Sequence, residues 1–350
     1  MTPPFGVYVH IPFCASRCDY CAFATWTDRH HLQDRYMAAL LADVQRSDLP
    51  AVSSVFVGGG TPTLVDPTLL AAVLRAIPTA PGAEVTVECN PDDVTVELLG
   101  TLVDAGVNRV SIGVQSMVPH VLRSLGRSHD PANVERAVQV VRHLGIPTFN
   151  LDLIYGGAGE TLDDWRITLE RALELRPPHV SAYALTVEAG TPLFDEPHRH
   201  PDDDDLADKY ELADDLLVAA GLENYEVSNW AAPGNECRHN ILYWQQGDYR
   251  GFGSAAHSHL AGRRWWNLRT PERYLGAVEA GGDTEAAGES LDEQTRRVEG
   301  LQLALRMRDG VPADAIDSDG LDGLVHHDGQ RVRLTRAGRL LANEVSLRLR

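Results

Sequence analysis

Residues 8–21 read Tyr-Val-His-Ile-Pro-Phe-Cys-Ala-Ser-Arg-Cys-Asp-Tyr-Cys, a β-branched run that passes through a proline into a loop with three cysteines. The run predicts a strand over 7–11, and the same alternation of a short β-branched run and a helix-length amphipathic stretch recurs along the chain. Six strands are predicted in this way, at 7–11, 54–57, 84–88, 109–113, 148–154 and 179–184. Helices are predicted between them at 32–45, 67–77, 94–105, 132–144 and 162–175. This alternation predicts an α/β fold in which a parallel sheet forms a barrel or partial barrel.

The chain departs from this alternation after the sixth strand. A helix is predicted over 206–220, and residues 229–269 are enriched in aromatic residues, Gly, Asn and His. A linker is predicted over 281–288. A helix over 291–308, a hairpin over 324–334 and a helix over 336–347 predict a small winged-helix-like α+β module. We therefore divide the chain into a barrel domain (1–228), an aromatic segment with its linker (229–290) and a C-terminal domain (291–350).

The composition argues against several classes of function. With 31 basic and 50 acidic residues the formal net charge is −19, which opposes binding to nucleic acid or anionic lipid. The chain starts Met-Thr-Pro-Pro-Phe, without a basic and apolar leader, and no stretch approaches the ~20 apolar residues of a membrane span. We therefore expect a cytoplasmic protein. Five cysteines, three of them within eight residues, favour metal binding over disulfides.

The three clustered cysteines, Cys14, Cys18 and Cys21, follow the first predicted strand, at the end of a barrel where chemistry is expected. Three thiolates on one loop can each ligate one iron of a [4Fe–4S] cluster and leave the fourth iron without a protein ligand. A structural zinc site is the alternative, but it normally needs four protein ligands. No second pair of ligands matches, and His10 would have to approach from within a strand. The spacing favours a cluster with one open iron.

The spacing Cys-x3-Cys-x2-Cys, with Tyr20 directly before the last cysteine, resembles the signature of the radical S-adenosylmethionine (SAM) superfamily. This resemblance implies a TIM-like partial (β/α)6 barrel, with SAM bound to the open iron through its amino and carboxylate groups. It also implies that Gly58-Gly59-Gly60-Thr61, after the second predicted strand, receives the SAM amino group. The other residues that it implies in SAM binding are Tyr8, Tyr20, Glu88, Gln115, Arg127, Asp152, Ile154 and Ala184. Without the resemblance, each of Glu88, Gln115, Arg127 and Asp152 would be interpreted as an ordinary ion-pair or hydrogen-bonding residue.

Three runs, at 8–14, 111–116 and 150–156, extend the resemblance to the HemN/HemW group of this superfamily. One member of the group is coproporphyrinogen III dehydrogenase, an oxidative decarboxylase, and another is a haem chaperone. The dehydrogenase has a further cysteine two positions after the triad, where this chain has Phe23, and an extension ahead of the first strand. We therefore expect a haem chaperone without coproporphyrinogen dehydrogenase activity. Oxidative decarboxylation of coproporphyrinogen stays the alternative function.

The run His239-Asn240-Ile241-Leu242-Tyr243-Trp244 matches the HNxxYW motif associated with haem in the chaperones, and residues 251–258 are also similar to that group. An imidazole is a common axial ligand of haem, and aromatic rings offer flat apolar surface to a porphyrin. The predicted haem residues are His239, Cys237, Tyr243 and Trp244. Without the resemblance, a His-Asn pair beside aromatic residues is typical of a hydrogen-bonded packing cluster.

The resemblance also implies partners. Haem is the expected cargo, and acceptor haemoproteins such as respiratory cytochromes are the expected recipients. We also expect an electron donor for the cluster and a homodimer. Membrane contact is expected only transiently, through membrane-bound acceptors. Whether SAM is cleaved during haem delivery stays open.

Overall fold

The computed structural model describes residues 3–127 and 129–350. The strands are β1 (Phe5–Ile11), β2 (Val52–Gly59), β3 (Thr79–Cys89), β4 (Arg109–Gln115), β5 (Thr148–Tyr155), β6 (His179–Ala184), β7 (Glu223–Glu226), β8 (Asn229–Ala231), β9 (Asp248–Phe252), β10 (His257–Leu260), β11 (Arg263–Asn267), β12 (Glu285–Ser290), β13 (Val311–Pro312), β14 (Val325–His327) and β15 (Arg331–Leu334). The α-helices are α1 (Gln33–Arg46), α2 (Pro67–Ala76), α3 (Val96–Val103), α4 (Pro119–Ser124), α5 (Pro131–His143), α6 (Leu162–Glu174), α7 (Asp203–Ala219), α8 (Arg238–Trp244), α9 (Pro271–Glu279), α10 (Glu293–Leu305), α11 (Arg336–Leu340) and α12 (Ala342–Ser346).

Within those residues, twelve strands form one sheet in the order β12-β11-β10-β9-β1-β2-β3-β4-β5-β6-β8-β7. Strands β1 to β6 each run parallel to the next. They include all six predicted strands, so the predicted α/β partial barrel is confirmed. Val7, Val9 and Ile11 of β1 have no exposed surface, as expected for a parallel strand with covered faces.

The sheet extends beyond the predicted strands at both ends. Strand β9 lies parallel to β1, and β10, β11 and β12 continue the sheet antiparallel. At the other end, β8 pairs antiparallel with β6, and β7 pairs antiparallel with β8. The linker predicted over 281–288 is wrong from Glu285 onward, because β12 begins there. The β12 sequence Glu-Ala-Ala-Gly-Glu-Ser is almost wholly exposed and has no apolar alternation, so only its pairing with β11 makes it a strand.

In the described C-terminal part, β13, β15 and β14 form a small antiparallel sheet. Its apolar cluster includes Leu305, Val311, Val332 and Val345. The predicted hairpin is present as β14 and β15. The helix predicted over 336–347 is interrupted at Leu341, whose φ of −110° and ψ of 29° separate α11 from α12. The nearest glycine, Gly338, lies three residues earlier, inside α11.

The parallel strands determine where the functional loops lie. Because β1 to β6 run in one direction, the loops after their carboxyl ends gather at one edge of the barrel. The helices that follow begin at defined caps, such as the Asp66 side chain at α2 and the Thr161/Asp164 capping box at α6. None of the helices in residues 3–127 and 129–350 is long and apolar enough to cross a membrane.

Candidate functional site

The cysteine loop follows β1 and is closed by backbone hydrogen bonds. The Cys14 N–H donates to the Trp26 carbonyl oxygen at 3.1 Å, and the Trp26 N–H donates to the Pro12 carbonyl oxygen at 2.8 Å. The Cys21 N–H donates to the Cys18 carbonyl oxygen at 3.2 Å. All three thiols are free and half-buried. The loop therefore holds three partly accessible sulfur atoms on a fixed backbone.

The glycine-rich loop after β2 lies directly against the cysteine loop. The Gly60 N–H donates to the Ile11 carbonyl oxygen at 2.7 Å, and the Thr61 N–H donates to the Phe13 carbonyl oxygen at 2.8 Å. A Cβ atom on Gly60 would lie 2.5 Å from the Phe13 oxygen and 3.0 Å from Cys14 Sγ. Only glycine fits so close to that thiol without displacing either loop.

Burial raises the pKa of the Cys14 thiol, and hydrogen bonds from the Thr61 and Thr25 side chains partly offset that rise. Burial likewise raises the pKa of the Cys21 thiol. A hydrogen bond from the Phe23 backbone and the positive charge of Arg127 lower this pKa and partly offset the rise. A bound metal ion would favour the thiolate forms far more strongly than these neighbours do. The hydroxyl and amide groups around the sulfurs suit thiolates that serve as ligands.

Glu88, at the end of β3, lies beneath the glycine loop. The Gly59 N–H donates to Glu88 Oε2 at 3.2 Å, and a Cβ on Gly58 would lie 2.8 Å from that oxygen. Enclosure of the carboxyl by protein, with the charge of Asp152 nearby, raises the pKa of Glu88 to about 8. Glu88 therefore lies directly against Gly58 and Gly59, in the loop predicted to receive the SAM amino group, and an ammonium ion beside it would favour its charged form.

Gln115 and Arg127 meet above Gly113 of β4. A Cβ atom built on Gly113 would lie 3.1 Å from Gln115 Nε2 and 3.5 Å from Arg127 Nη2. Gln115 has a φ of 61°, in the left-handed region that a non-glycine residue rarely adopts. Arg127 Nε is buried and has no hydrogen-bond partner among the residues that the structure describes. A buried guanidinium with an unused donor suits a ligand carboxylate.

Asp152 is held by neighbouring polar side chains inside the barrel. Ser111 Oγ donates to its Oδ2 at 2.6 Å, and Asn150 Nδ2 donates to its Oδ1 at 2.8 Å. Burial raises the pKa of Asp152, and these hydrogen bonds partly offset the rise. The carboxylate is thus oriented by two strands, as a ribose-binding acceptor would need to be.

The remaining predicted SAM residues occupy separate environments. The Tyr8 hydroxyl lies 3.0 Å from His10 Nδ1. Ile154 belongs to an apolar cluster against which Tyr20 packs, next to the cysteine loop. Ala184 is half-buried at the end of β6 and packs against the main core. Glu88, Gln115, Ile154 and Ala184 lie at the carboxyl ends of β3, β4, β5 and β6, whereas Tyr8 and Asp152 lie nearer the middle of β1 and β5.

The residues present fit a [4Fe–4S] cluster with SAM. Three features suit these ligands: Arg127 Nε has no hydrogen-bond partner in the described residues, only glycine fits beside the Cys14 thiol, and the Glu88 carboxyl lies against the glycine loop. In the described residues no three His, Cys, Asp or Glu side chains converge on a single metal ion. A cubane places each thiolate on a different iron atom, so its three ligands need not converge on one point.

The HNxxYW motif forms α8, whose amino end is bound by the buried carboxylate of Glu84 on β3. Glu84 Oε2 accepts the Arg238 N–H and Oε1 accepts the His239 N–H, each at 3.1 Å. The Cys237 thiol donates to Glu84 Oε1 at 3.5 Å. The negative carboxylate also lies at the positive end of the helix dipole, which is a stabilising arrangement. Glu84 therefore anchors α8 to the barrel sheet, a role that the sequence did not reveal.

His239 is 1% exposed and both of its ring nitrogens have partners. Nδ1 lies 2.9 Å from Ser54 Oγ, and Nε2 lies 2.8 Å from the Tyr243 hydroxyl. Burial lowers the pKa of His239 to about 3, so the ring is neutral at pH 7. This is the hydrogen-bonded packing arrangement stated above as the alternative. A haem iron would reach either nitrogen only after one of these bonds was broken, and the ligand roles of His239 and Cys237 stay predictions.

An open cavity of about 440 Å³ lies between the cysteine loop and strands β9 and β10. Its lining includes Tyr8 of β1, Phe23 of the cysteine loop, Tyr243 of α8 and Tyr249 of β9. His257 and Arg269 complete the lining. Trp244 of α8, by contrast, is half-buried outside this lining. The sequence offered a weak signal for His257, in the similar run over 251–258, and none for Arg269.

A model of the radical SAM superfamily matches residues 8–172. Over 366 aligned residues the chain is 42% identical to the heme chaperone HemW of Mycobacterium tuberculosis strain CDC 1551, covering 98% of this chain and 94% of that one. The chain belongs to the HemW family of radical SAM proteins. The predicted resemblance to the HemN/HemW group is therefore confirmed.

Two further HemW proteins agree with the assignment, and one solved structure shares the fold. HemW of Escherichia coli K12 is 38% identical, over 87% of this chain and 85% of its own. HemW of Bacillus subtilis strain 168 is 32% identical, over 97% of both chains. The structure of coproporphyrinogen III oxidase (HemN) from E. coli superposes with a TM-score of 0.85 at 24% identity, covering 99% of this chain and 89% of that chain. This likeness shows a shared fold, whereas the HemW relatives favour the chaperone over the oxidase alternative.

Proposed function

We propose that the protein binds haem and delivers it to acceptor haemoproteins, as a chaperone that also holds a SAM-ligated [4Fe–4S] cluster. The proposal is carried by the match of nearly the whole chain to proteins named heme chaperone HemW. Phe23 supports it, because this residue occupies the position of a further cysteine in the dehydrogenase. The aromatic cavity beside the cysteine loop supports it as well, since its walls suit a flat apolar ligand.

The cluster would be held by Cys14, Cys18 and Cys21. When reduced, a cluster of this kind supplies an electron to bound SAM. The chain's own residues orient the ligand: Gly60 leaves room beside the Cys14 thiol, and Glu88 faces the amino group. The unused donor of Arg127 would pair with the SAM carboxylate.

The acceptors follow from the chaperone role. We propose respiratory cytochromes as recipients, an electron donor for the cluster and a homodimer as the working assembly. The net charge of −19 argues against nucleic acid as a partner. Delivery would take place in the cytoplasm, with transient contact at the membrane through the acceptors.

An anaerobic experiment tests the function. The protein is reconstituted with iron and sulfide, titrated with haem, and mixed with an apo-cytochrome while the absorbance of the acceptor is followed. Haem should bind in a fixed ratio and move to the acceptor. The same preparation, supplied with coproporphyrinogen III, SAM and a reductant, should form no decarboxylated product. Sustained protoporphyrinogen formation would establish the oxidase alternative instead.

A further inference from the structure

The cavity between the cysteine loop and strands β9 and β10 contains two imidazoles, and only one is available to a ligand. His10 Nδ1 lies 3.0 Å from the Tyr8 hydroxyl, and His10 Nε2 lies 2.9 Å from the Ala24 carbonyl oxygen. His10 is also 5% exposed, so the barrel encloses it. A bound metal would have to break one of these hydrogen bonds to reach either nitrogen.

His257 differs from His10 in every one of these respects. It is exposed at the start of β10, and neither ring nitrogen has a hydrogen-bond partner in the part of the chain that the structure describes. Its ring stacks on Trp266 of β11, with centroids 5.6 Å apart and an angle of 27° between the planes. The stacking restricts the rotation of the ring while leaving both nitrogens free. An imidazole fixed at one face and open at its nitrogens is suited to bind a metal centre.

We propose that His257 is the axial ligand of haem in this cavity, and that Arg269 pairs with a haem propionate. The inference rests on the proposed haem-binding function and assigns the residues that perform it. The cavity volume of about 440 Å³ lies within the ~300–1,000 Å³ typical of small-molecule sites.

The walls of the cavity suit a porphyrin. The rings of Tyr243 and Tyr249 meet edge to face, with centroids 4.5 Å apart. Phe23 is 66% exposed, which is unusual for so large an apolar side chain, and it lines the same cavity. A flat apolar ligand would cover these surfaces. The HNxxYW motif then contributes Tyr243 as a wall, and His239 orients Tyr243 through its hydroxyl.

Arg269 supplies the charge that haem needs. Its side chain is exposed at the cavity and makes no ion pair within residues 3–127 and 129–350. Haem propionates are anionic, and the net charge of −19 repels them from most of the surface. An arginine beside the cavity provides local attraction and a bidentate donor for a carboxylate.

The ligand is tested by haem titration and by the iron–histidine stretching band in the resonance Raman spectrum of the ferrous complex. His257→Ala should weaken haem binding about tenfold or more and abolish the band, and added imidazole should restore it. His327→Ala, which removes an exposed histidine on β14, is the matched control and should behave like wild type. Because His257 is exposed, its replacement should leave the thermal unfolding midpoint unchanged, and that measurement checks folding.

The propionate contact is tested with haem and haem dimethyl ester. Arg269→Gln should weaken the binding of haem several-fold and leave the binding of the ester unchanged, since the ester has no carboxylates. Arg273→Gln, an exposed arginine on α9, is the control. Equal effects on both ligands would overturn the Arg269 contact.

The outcomes separate this inference from the function. If wild type binds no haem, both fail. If wild type binds haem and delivers it, but the histidine band persists in His257→Ala and disappears in His239→Ala, the chaperone function stands and the His257 assignment is wrong. Retention of the band in His239→Ala with its loss in His257→Ala supports the assignment.

Discussion

Replacing Gly60 with alanine places a methyl group where the structure has no room. The new Cβ would lie 2.5 Å from the Phe13 carbonyl oxygen, 2.9 Å from that of Ile11 and 3.0 Å from Cys14 Sγ. Two of these neighbours are backbone atoms and the third is a predicted cluster ligand, so none can rotate away. The loop must shift instead, at the cost of the Gly60–Ile11 and Thr61–Phe13 hydrogen bonds, of 2.7 and 2.8 Å.

Each lost backbone hydrogen bond is worth about 0.5–1.5 kcal/mol, so the native loop arrangement should be weakened by about 1–3 kcal/mol. That range corresponds to about 5- to 150-fold in SAM affinity. The assay is a SAM titration of the reduced, reconstituted protein, followed by the change in the EPR spectrum of the cluster. Iron content is measured in parallel, because displacement of Cys14 should also lower cluster occupancy.

The control is Gly276→Ala on α9, where an added Cβ meets no atom within 4 Å. It should leave SAM affinity and iron content at the wild-type values. Wild-type SAM affinity and full iron content in Gly60→Ala would refute the inferred contact between the two loops.

Three further predictions concern carboxylates and an arginine. Glu84→Ala should lower the free energy of unfolding by about 2–4 kcal/mol in urea titrations, since it removes a helix cap and leaves two backbone donors unpaired. Glu88→Gln should flatten the pH dependence of stability in the cluster-free protein. In wild type, folded Glu88 with its pKa raised to about 8 retains a proton that the unfolded chain releases near pH 4.5, so stability falls as pH rises between these values. The variant should gain about 1 kcal/mol or more at pH 8 relative to wild type, since each unit of pKa difference corresponds to about 1.4 kcal/mol. Arg127→Lys should weaken SAM binding about tenfold in the EPR titration, because lysine offers no bidentate donor.

Exposed residues of the same type provide the controls. Glu97→Ala and Glu97→Gln on α3 should change neither the unfolding free energy nor its pH slope beyond about 0.5 kcal/mol. Arg123→Lys on α4 should bind SAM like wild type. An unchanged stability in Glu84→Ala, an unchanged pH slope in Glu88→Gln or an unchanged SAM affinity in Arg127→Lys would contradict the corresponding contact.

The fold could be predicted wherever a strand is long, β-branched and buried. Strands β1 to β6 meet these conditions and were placed correctly from the sequence. Strand β12 could not be predicted, because its exposed residues pair only through the backbone with β11. The break between α11 and α12 escaped prediction because it falls at Leu341, beside Leu340, while the nearest glycine, Gly338, lies inside α11.

The site was predictable to the extent that spacing determines chemistry. Three cysteines within eight residues predict a metal cluster, and the structure places the glycine loop beside them. A sequence does not show which way an imidazole faces. His239 stands in a recognisable motif yet is buried with both nitrogens bonded, whereas His257 faces a cavity formed by segments distant in the chain.

Phe23 connects the two ligands of the proposed chaperone. It lies two residues after Cys21 and also at the wall of the haem cavity. If the cluster orders the cysteine loop, it also completes that wall, so the two binding equilibria are thermodynamically linked. Reciprocity then requires that the factor by which the cluster strengthens haem binding equals the factor by which haem strengthens retention of the cluster. A protein built in this way would bind its cargo more tightly when its cluster is in place, and loss of the cluster to oxygen would weaken its hold on the haem.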